Sequence, residues 1–540
     1  MKKPLLYAGL VLFMGFGAFA QNKTAIKFSQ SISKDNAYKH LSVLASDEYE
    51  GRETGKKGAW MAADYIRNHF KSLGLKGPVG GNYFQPIDMV SYDVVQSILT
   101  INGQAKELLK DFIISPSSVT QNGFTLNKNA VIFAGYGLSK PDFNEFEGLN
   151  IKDRIVMVFA SGDPTQKSTE KPATDRAAMR AALVARQAKL KYLSDNGALA
   201  VIQIDPSLDN PNEETIARYN NGAGRLTLKT PDLLEKMKEQ KSLPVINIST
   251  ATANEILKQS GSNVQSVQQQ ITNTGKPASK ELSVVLSVSA LKKEVKVRAE
   301  NVLGFLEGSD PKLKKEVLVV TGHYDHIGLT TSGTDKVNNG ADDDGSGTTG
   351  VLMIAEAFAK AKKAGKGPKR SILFMTVVGE EKGLLGSEWY SEHPVFPMEN
   401  TITNLNIDMI GRVDPDHEQN PDYVYIIGSD MLSSDLDKLG KKANTDYVKM
   451  NLDMRYNNRT DPNRFYYRSD HYNFAKHNVP VIFYFNGVHA DYHQPGDEVS
   501  KINFPLLARR AKLVYFTAWE LANGAKRPLV DKNEDGTPKK

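Results

Sequence analysis

EVLVVTGHYDH, residues 316–326, is an unbroken apolar run that ends in a glycine, two histidines and an aspartate. An apolar run without alternation reads as a strand covered on both faces, the mark of a parallel sheet between helix layers. Period two then points His323 and Asp325 the same way, so the carboxylate can hold the imidazole tautomer. Outward from this stretch the grammar repeats. Strands are expected over 371–378, 402–409, 423–428 and 481–484, with helices over 347–363 and about 504–522. The fold class expected is α/β: a mixed, largely parallel twisted sheet covered by helices on both faces.

In such sheets sites form at the carboxyl ends of the strands, and the polar clusters sit there. GADDDGSG at 340–347 puts three carboxylates in a glycine-framed loop that opens a helix. Capping a helix takes one acid, whereas three adjacent like charges repel unless a cation offsets them. GEE at 379–381 pairs two acids whose side chains diverge at a strand end, which suits one metal ligand and one general base. NIDM at 406–409 sets an acid in an apolar strand, where a lone carboxylate is costly to bury. DYHQPGD at 491–497 places a histidine beside a tyrosine and an acid.

Composition narrows the chemistry further. The 540 residues are 40% hydrophobic and 24% charged, which excludes disorder and fibrous arrays. A net charge of +6 spread over that length supplies no field for nucleic acid. Cysteine is absent, so there is no thiol nucleophile and any metal is held by histidine and carboxylate. Eight of the ten histidines follow residue 320, which places an enzyme core in the second half. Lys2 and Lys3 precede an apolar stretch from Leu5 to Ala20 that ends Ala18-Phe19-Ala20. This reads as a secretory signal peptide, implying export and no stable membrane anchor after cleavage.

Between about 127 and 290 a second α/β grammar runs, with strands over 130–137, 155–161, 198–205, 244–249 and 281–291 and a helix over 176–193. Its flanks, 121–129 and 272–279, read as polar linkers. The division expected is a signal peptide (1–20), an N-terminal part of the catalytic domain (21–126), a smaller inserted α/β unit (127–290), the catalytic domain (291–525) and a frayed polar tail (526–540).

With RSDHYNFAKHNVPVIF at 468–483, these motifs in this order resemble the co-catalytic di-zinc exopeptidases, the family of bacterial leucyl aminopeptidases, aminopeptidase Y and glutamate carboxypeptidase II. YGL at 136–138, IVMVFASGD at 155–163 and NGALAVIQID at 196–205 look like the protease-associated (PA) domain of some members. The resemblance implies the zinc-exopeptidase fold and two zinc ions per chain. It makes His323 and Asp408 ligands of one, Glu381 and His493 ligands of the other, and Asp343 the bridge, with a cis peptide after Asp343. It makes Glu380 the general base and Tyr492 a donor to the oxyanion, with Asp325 behind His323. His326, His471 and His489 are left over, as groups that support the ligands from behind or lie at the surface, and Asp470 as a helix cap.

Three activities compete: a secreted zinc exopeptidase, a catalytically silent binding protein, and a cyclising acyltransferase of the glutaminyl cyclase type. The complete two-metal set favours the first, acting on peptides. Within it an aminopeptidase needs carboxylates to hold a free ammonium, and a carboxypeptidase of the glutamate carboxypeptidase type needs arginines to fork onto a carboxylate. Arg455, Arg459, Arg464 and Arg468 are interleaved with Asp453, Asp461 and Asp470, which reads as paired loop charge and favours amino-terminal attack.

Overall fold

The computed structural model describes residues 22–165, 176–211, 216, 224–239, 242–331, 333–533 and 535–539. The signal-peptide stretch lies outside them. Two large sheets organise the chain. The first has eight strands in the order Phe84–Pro86, Glu300–Leu306, Ser371–Val377, Val317–His323, Thr401–Ile407, Val481–Phe485, Tyr423–Ile427 and Asn451–Asp453. The central four are mutually parallel, while Glu300–Leu306 and Tyr423–Ile427 pair antiparallel at their flanks.

Continuous apolar runs are stable there because both faces are covered. Leu318 and Val320 pack into a core built with Gly347–Lys363, Phe504–Asn523 and the N-terminal helices Lys34–Leu44 and Lys57–Ser72. Val317 and Val319 point the other way, onto a core that includes Tyr390 of Leu385–Glu392 and Phe474 of His471–Lys476. Each such aliphatic, withdrawn fully from water, contributes about 1.5–3 kcal/mol. The register sets the carboxyl ends of the four parallel strands side by side, with His323 opposite Val377 and Thr321 opposite Asn406.

The second sheet has nine strands, and its boundary differs from the sequence expectation. It begins at Met89–Ile101, which pairs along its length with Lys280–Val297, so residues 89–126 belong with this unit. The expected breaks at 127 and 290 fall inside the strands Phe124–Phe133 and Lys280–Val297. The misreading has a physical cause: one face of Phe124–Phe133 is wet over its first residues, so its polar positions alternate and read as linker. Ile155–Phe159, Ala200–Ile204 and Val245–Ile248 continue the sheet in parallel. Thr250–Leu257 and Val264–Thr274 cover one face of it.

The tail is not frayed over its described residues. Arg527 donates to the carbonyls of Glu399 and Thr401 at 2.9 and 3.0 Å, and Asp531 accepts from the Ser434 amide at 2.9 Å. Val530 packs on the core beneath. Composition alone had suggested an unattached end, but these few side chains anchor it.

Candidate metal centre

His323 ends its strand with Nδ1 3.0 Å from the backbone carbonyl of Asp325. A carbonyl only accepts, so Nδ1 carries the proton and Nε2 is the free lone pair. The Asp325 carboxylate stands further off, 3.8 Å from Nδ1. It accepts instead from the Thr54 hydroxyl at 2.6 Å and the Glu380 amide at 3.3 Å. The tautomer is therefore set by main chain, while the Asp325 side chain ties the GEE loop to the N-terminal segment.

Nε2 of His323 faces Asp343 Oδ1 at 3.3 Å, Asp408 Oδ1 at 3.6 Å and Glu380 Oε2 at 3.9 Å. Asp343 turns its other oxygen to His493 Nε2 at 3.1 Å, and His493 Nε2 lies 3.2 Å from Glu381 Oε2. The three adjacent acids thus have three fates. Asp342 accepts from the Gly411 amide, the Ser346 hydroxyl and the Asn486 amide group. Asp344 accepts from the backbone amides of His323, Gly347 and Met409. Asp343 alone spans the histidines. The peptide bond from Asp343 to Asp344 is cis, as the resemblance implies.

Beneath this loop lies Arg52, 1% exposed, which donates to the carbonyls of Tyr324, Leu44, Asn339 and Gly340. Asp408 is steadied by the Ser469 hydroxyl at 2.6 Å, and Ser469 also accepts from the Asn406 amide group. Arg52 lies in no motif that sequence reading could use, and Ser469, though inside the 468–483 motif, is given no role there. Supporting hydroxyls of this kind are worth about 10–100-fold in metal affinity, so Ser469→Ala is expected to weaken zinc retention by that factor in competition with a chelator. An unchanged affinity would remove Ser469 from the centre.

Other residues are relocated. His326 is buried at the centre, with Nδ1 2.9 Å from Glu381 Oε1 and 3.8 Å from Asp343 Oδ2. The strand ends at His323, so His326 lies in the loop beyond it. His489 lies against Asp342 at 3.2 Å, and His471 stacks on Phe483 away from the centre. Asp470 is not a side-chain cap: it is fully buried and accepts from the Ser387 hydroxyl at 2.6 Å.

The electrostatics follow from crowded carboxylates. Burial works to lower His323, but Glu380, Asp408 and Asp343 outweigh it and hold the ring well above its ordinary value. Burial likewise opposes the charge on His493, yet Asp343 and Glu381 keep it at about 10. Burial drives Glu380 well above the carboxylate range, with Glu381, Asp408 and Asp470 adding to it against the pull of His323. Burial raises Asp343 too, but His323, His493 and His326 overcome it and leave that acid well below its usual value.

These donors fit zinc. Imidazole nitrogen and carboxylate oxygen are borderline-to-hard ligands suited to it. His493 Nε2, His326 Nδ1 and Glu381 Oε1 also make no aligned hydrogen bond despite their short separations. These three atoms converge on shared space rather than on one another. Beside them opens a cavity lined by Met409, Phe465, Phe483, Phe485 and Val488, with Tyr492 and Arg468 at its wall. Tyr492 stacks on His493 at 3.9 Å between ring centres.

Residues 301–518 match the model of Peptidase family M28. A probable zinc metalloprotease of Pyrenophora teres f. teres is 28% identical over 269 residues, covering 43% of this chain and 53% of that protein. A probable leucine aminopeptidase of Arthroderma otae is 29% identical over 218 residues, covering 39% and 56%. The chain thus spans about half the length of the curated relatives it matches. An aminopeptidase from Aneurinibacillus sp. strain AM-1 superposes with a TM-score of 0.50 at 17% identity, covering 96% of this chain and all of that one. That similarity shows a shared fold.

Proposed function

Proceeding from the match of residues 301–518 to peptidase family M28, we propose that the protein is an exported zinc exopeptidase that removes amino-terminal residues from peptides. His323 and Asp408 would hold one zinc and Glu381 and His493 the other, with Asp343 as the ligand they would share. The observation that carries this reading is Asp343 itself, with one oxygen toward His323 and the other toward His493. Zinc bound there supplies a Lewis acid for the scissile carbonyl and acidifies water near neutral pH.

The chain's own groups do the rest. A carboxylate pushed upward by burial, as Glu380 is, takes a proton at its Oε from the attacking water and returns it to the leaving amine nitrogen. Tyr492, kept in its phenol form by burial and the neighbouring acids, donates to the oxygen that gains charge. The apolar wall of Phe465, Phe483 and Phe485 receives the terminal side chain, and the carboxylates of Glu380 and Asp408 at its floor hold the free ammonium. We read the second sheet as a protease-associated insert bordering this entrance, since Arg225 lies beside Gly383 of the GEE loop.

One observation favours carboxyl-terminal attack instead. Of the four interleaved arginines, Arg455 is paired with Asp453 and Asp416 and Arg464 lies over Tyr467, but Arg468 lines the cavity. Blocked peptides decide between the two. Acetylating the amino terminus is expected to stop cleavage and amidating the carboxyl terminus to leave it intact, as read by mass spectrometry. The reverse pattern would assign the substrate's carboxylate to Arg468.

A further inference from the structure

Three helices meet far from the GEE loop at His40, His69 and Glu356. His40 stands on Lys34–Leu44, His69 on Lys57–Ser72 and Glu356 on Gly347–Lys363, and one ligand-type atom from each lies within 4.8 Å of the others. The two imidazole rings are 4.5 Å apart at 75°.

Each ring has one nitrogen engaged and one free. His40 is 1% exposed, its Nδ1 is 2.8 Å from the Tyr65 hydroxyl, and its Nε2 has no partner. The His69 ring lies by the backbone of Leu352, and its buried Nε2 is likewise unpartnered. Histidines that bind metal characteristically have their second nitrogen held by a carbonyl or other polar group, which fixes the ring for the ion. Glu356 is oriented in the same manner, accepting from the Asn36 amide group at 2.7 Å and from the Lys360 ammonium. Burial, then His69, pushes His40 down to about 3, and burial lowers His69 as well, so both rings are neutral and keep their lone pairs. Two orphaned imidazole nitrogens beside a carboxylate make a borderline donor set suited to zinc.

We propose that His40, His69 and Glu356 form a structural zinc site, separate from the peptidase centre, that clamps Lys34–Leu44 and Lys57–Ser72 onto Gly347–Lys363. The clamp bears on the centre indirectly. Lys34–Leu44 ends at the carbonyl that receives Arg52, and Gly347–Lys363 starts from the Asp343 loop.

Zinc content of the full chain, loaded and then desalted, tests the proposal. His69→Gln and Glu356→Gln are each expected to hold one equivalent less than wild type, with an unchanged KM and a lowered melting temperature. Should either variant fail to fold, anomalous scattering at the zinc edge from wild-type crystals still decides. A peak between His40 Nε2 and His69 Nε2 is expected in protein used as purified. Equal zinc in wild type and both variants, or a peak that appears only on soaking with excess metal, would overturn the proposal.

Discussion

Glu380→Gln is expected to keep the fold and the zinc content while lowering kcat by about 10²–10⁴-fold, the range that a positioned general base supplies. Glu381→Gln is expected to fail differently, losing metal first and activity in consequence. The contrast rests on geometry. Glu381 lies within 3.2 Å of His493 Nε2 and 2.9 Å of His326 Nδ1, whereas Glu380 approaches only His323, at 3.9 Å. Glutamine preserves shape in both cases, so a difference in metal content reports which carboxylate is a ligand. Metal analysis beside steady-state kinetics reads both effects. Turnover at the wild-type rate in Glu380→Gln would place the base elsewhere.

Arg52→Met is expected to cost more stability than any other single change near the centre. The side chain donates at 2.8 Å to Tyr324, 2.7 Å to Leu44, 2.6 Å to Asn339 and 2.8 Å to Gly340. Methionine fills the space but leaves these buried carbonyls without donors, at about 1–3 kcal/mol apiece. The total is comparable to the whole stability of a domain, about 5–15 kcal/mol. Zinc affinity is expected to fall with it, because Tyr324 and Gly340 belong to the two loops that present His323 and Asp343. Arg52→Lys restores a point charge but not the fork, so it recovers part of the loss at most. Denaturant unfolding checks this, and a shift of the midpoint within error of wild type would show that the guanidinium is dispensable.

The elements around the centre were legible where an apolar run or helical spacing is unbroken. Gly347–Lys363 lies on the span read from its apolar spacing, and the four parallel strands lie within two residues of theirs. Met89–Ile101 escaped because exposed positions interrupt its middle, between a buried start and buried Leu99 and Ile101. Glu300–Leu306 escaped because Gly304 breaks its apolar run. That glycine sits where an added Cβ would come 2.8 Å from the Phe70 ring, so close packing chose the residue that weakens the signal. At the centre, charge clustering flagged every motif that the strand ends bring together. It left the three acids of 342–344 equivalent, since what distinguishes them is which backbone amides each one meets. The buried supports Arg52 and Thr54 come from a segment with no motif and are joined to the centre only by tertiary contact.

The pairing of Met89–Ile101 with Lys280–Val297 also bears on how such a chain is assembled and taken apart. Ser91 and Val295 are register partners, so the outgoing and returning chains cross into the second sheet side by side. Most of what lies beyond that pair hangs from the rest as a cassette on two adjacent threads, with Leu228 packed on the first core and Arg225 beside Gly383 as further contacts. Joining Ser91 to Val295 through a two-residue Asn-Gly turn would close the ladder as an ordinary hairpin. Almost no loop entropy is at stake in that closure, because its ends already touch. The M28-matching portion could therefore shed, exchange or acquire such a cassette in one recombination event, with its strand order and the loops bearing its acids and histidines undisturbed.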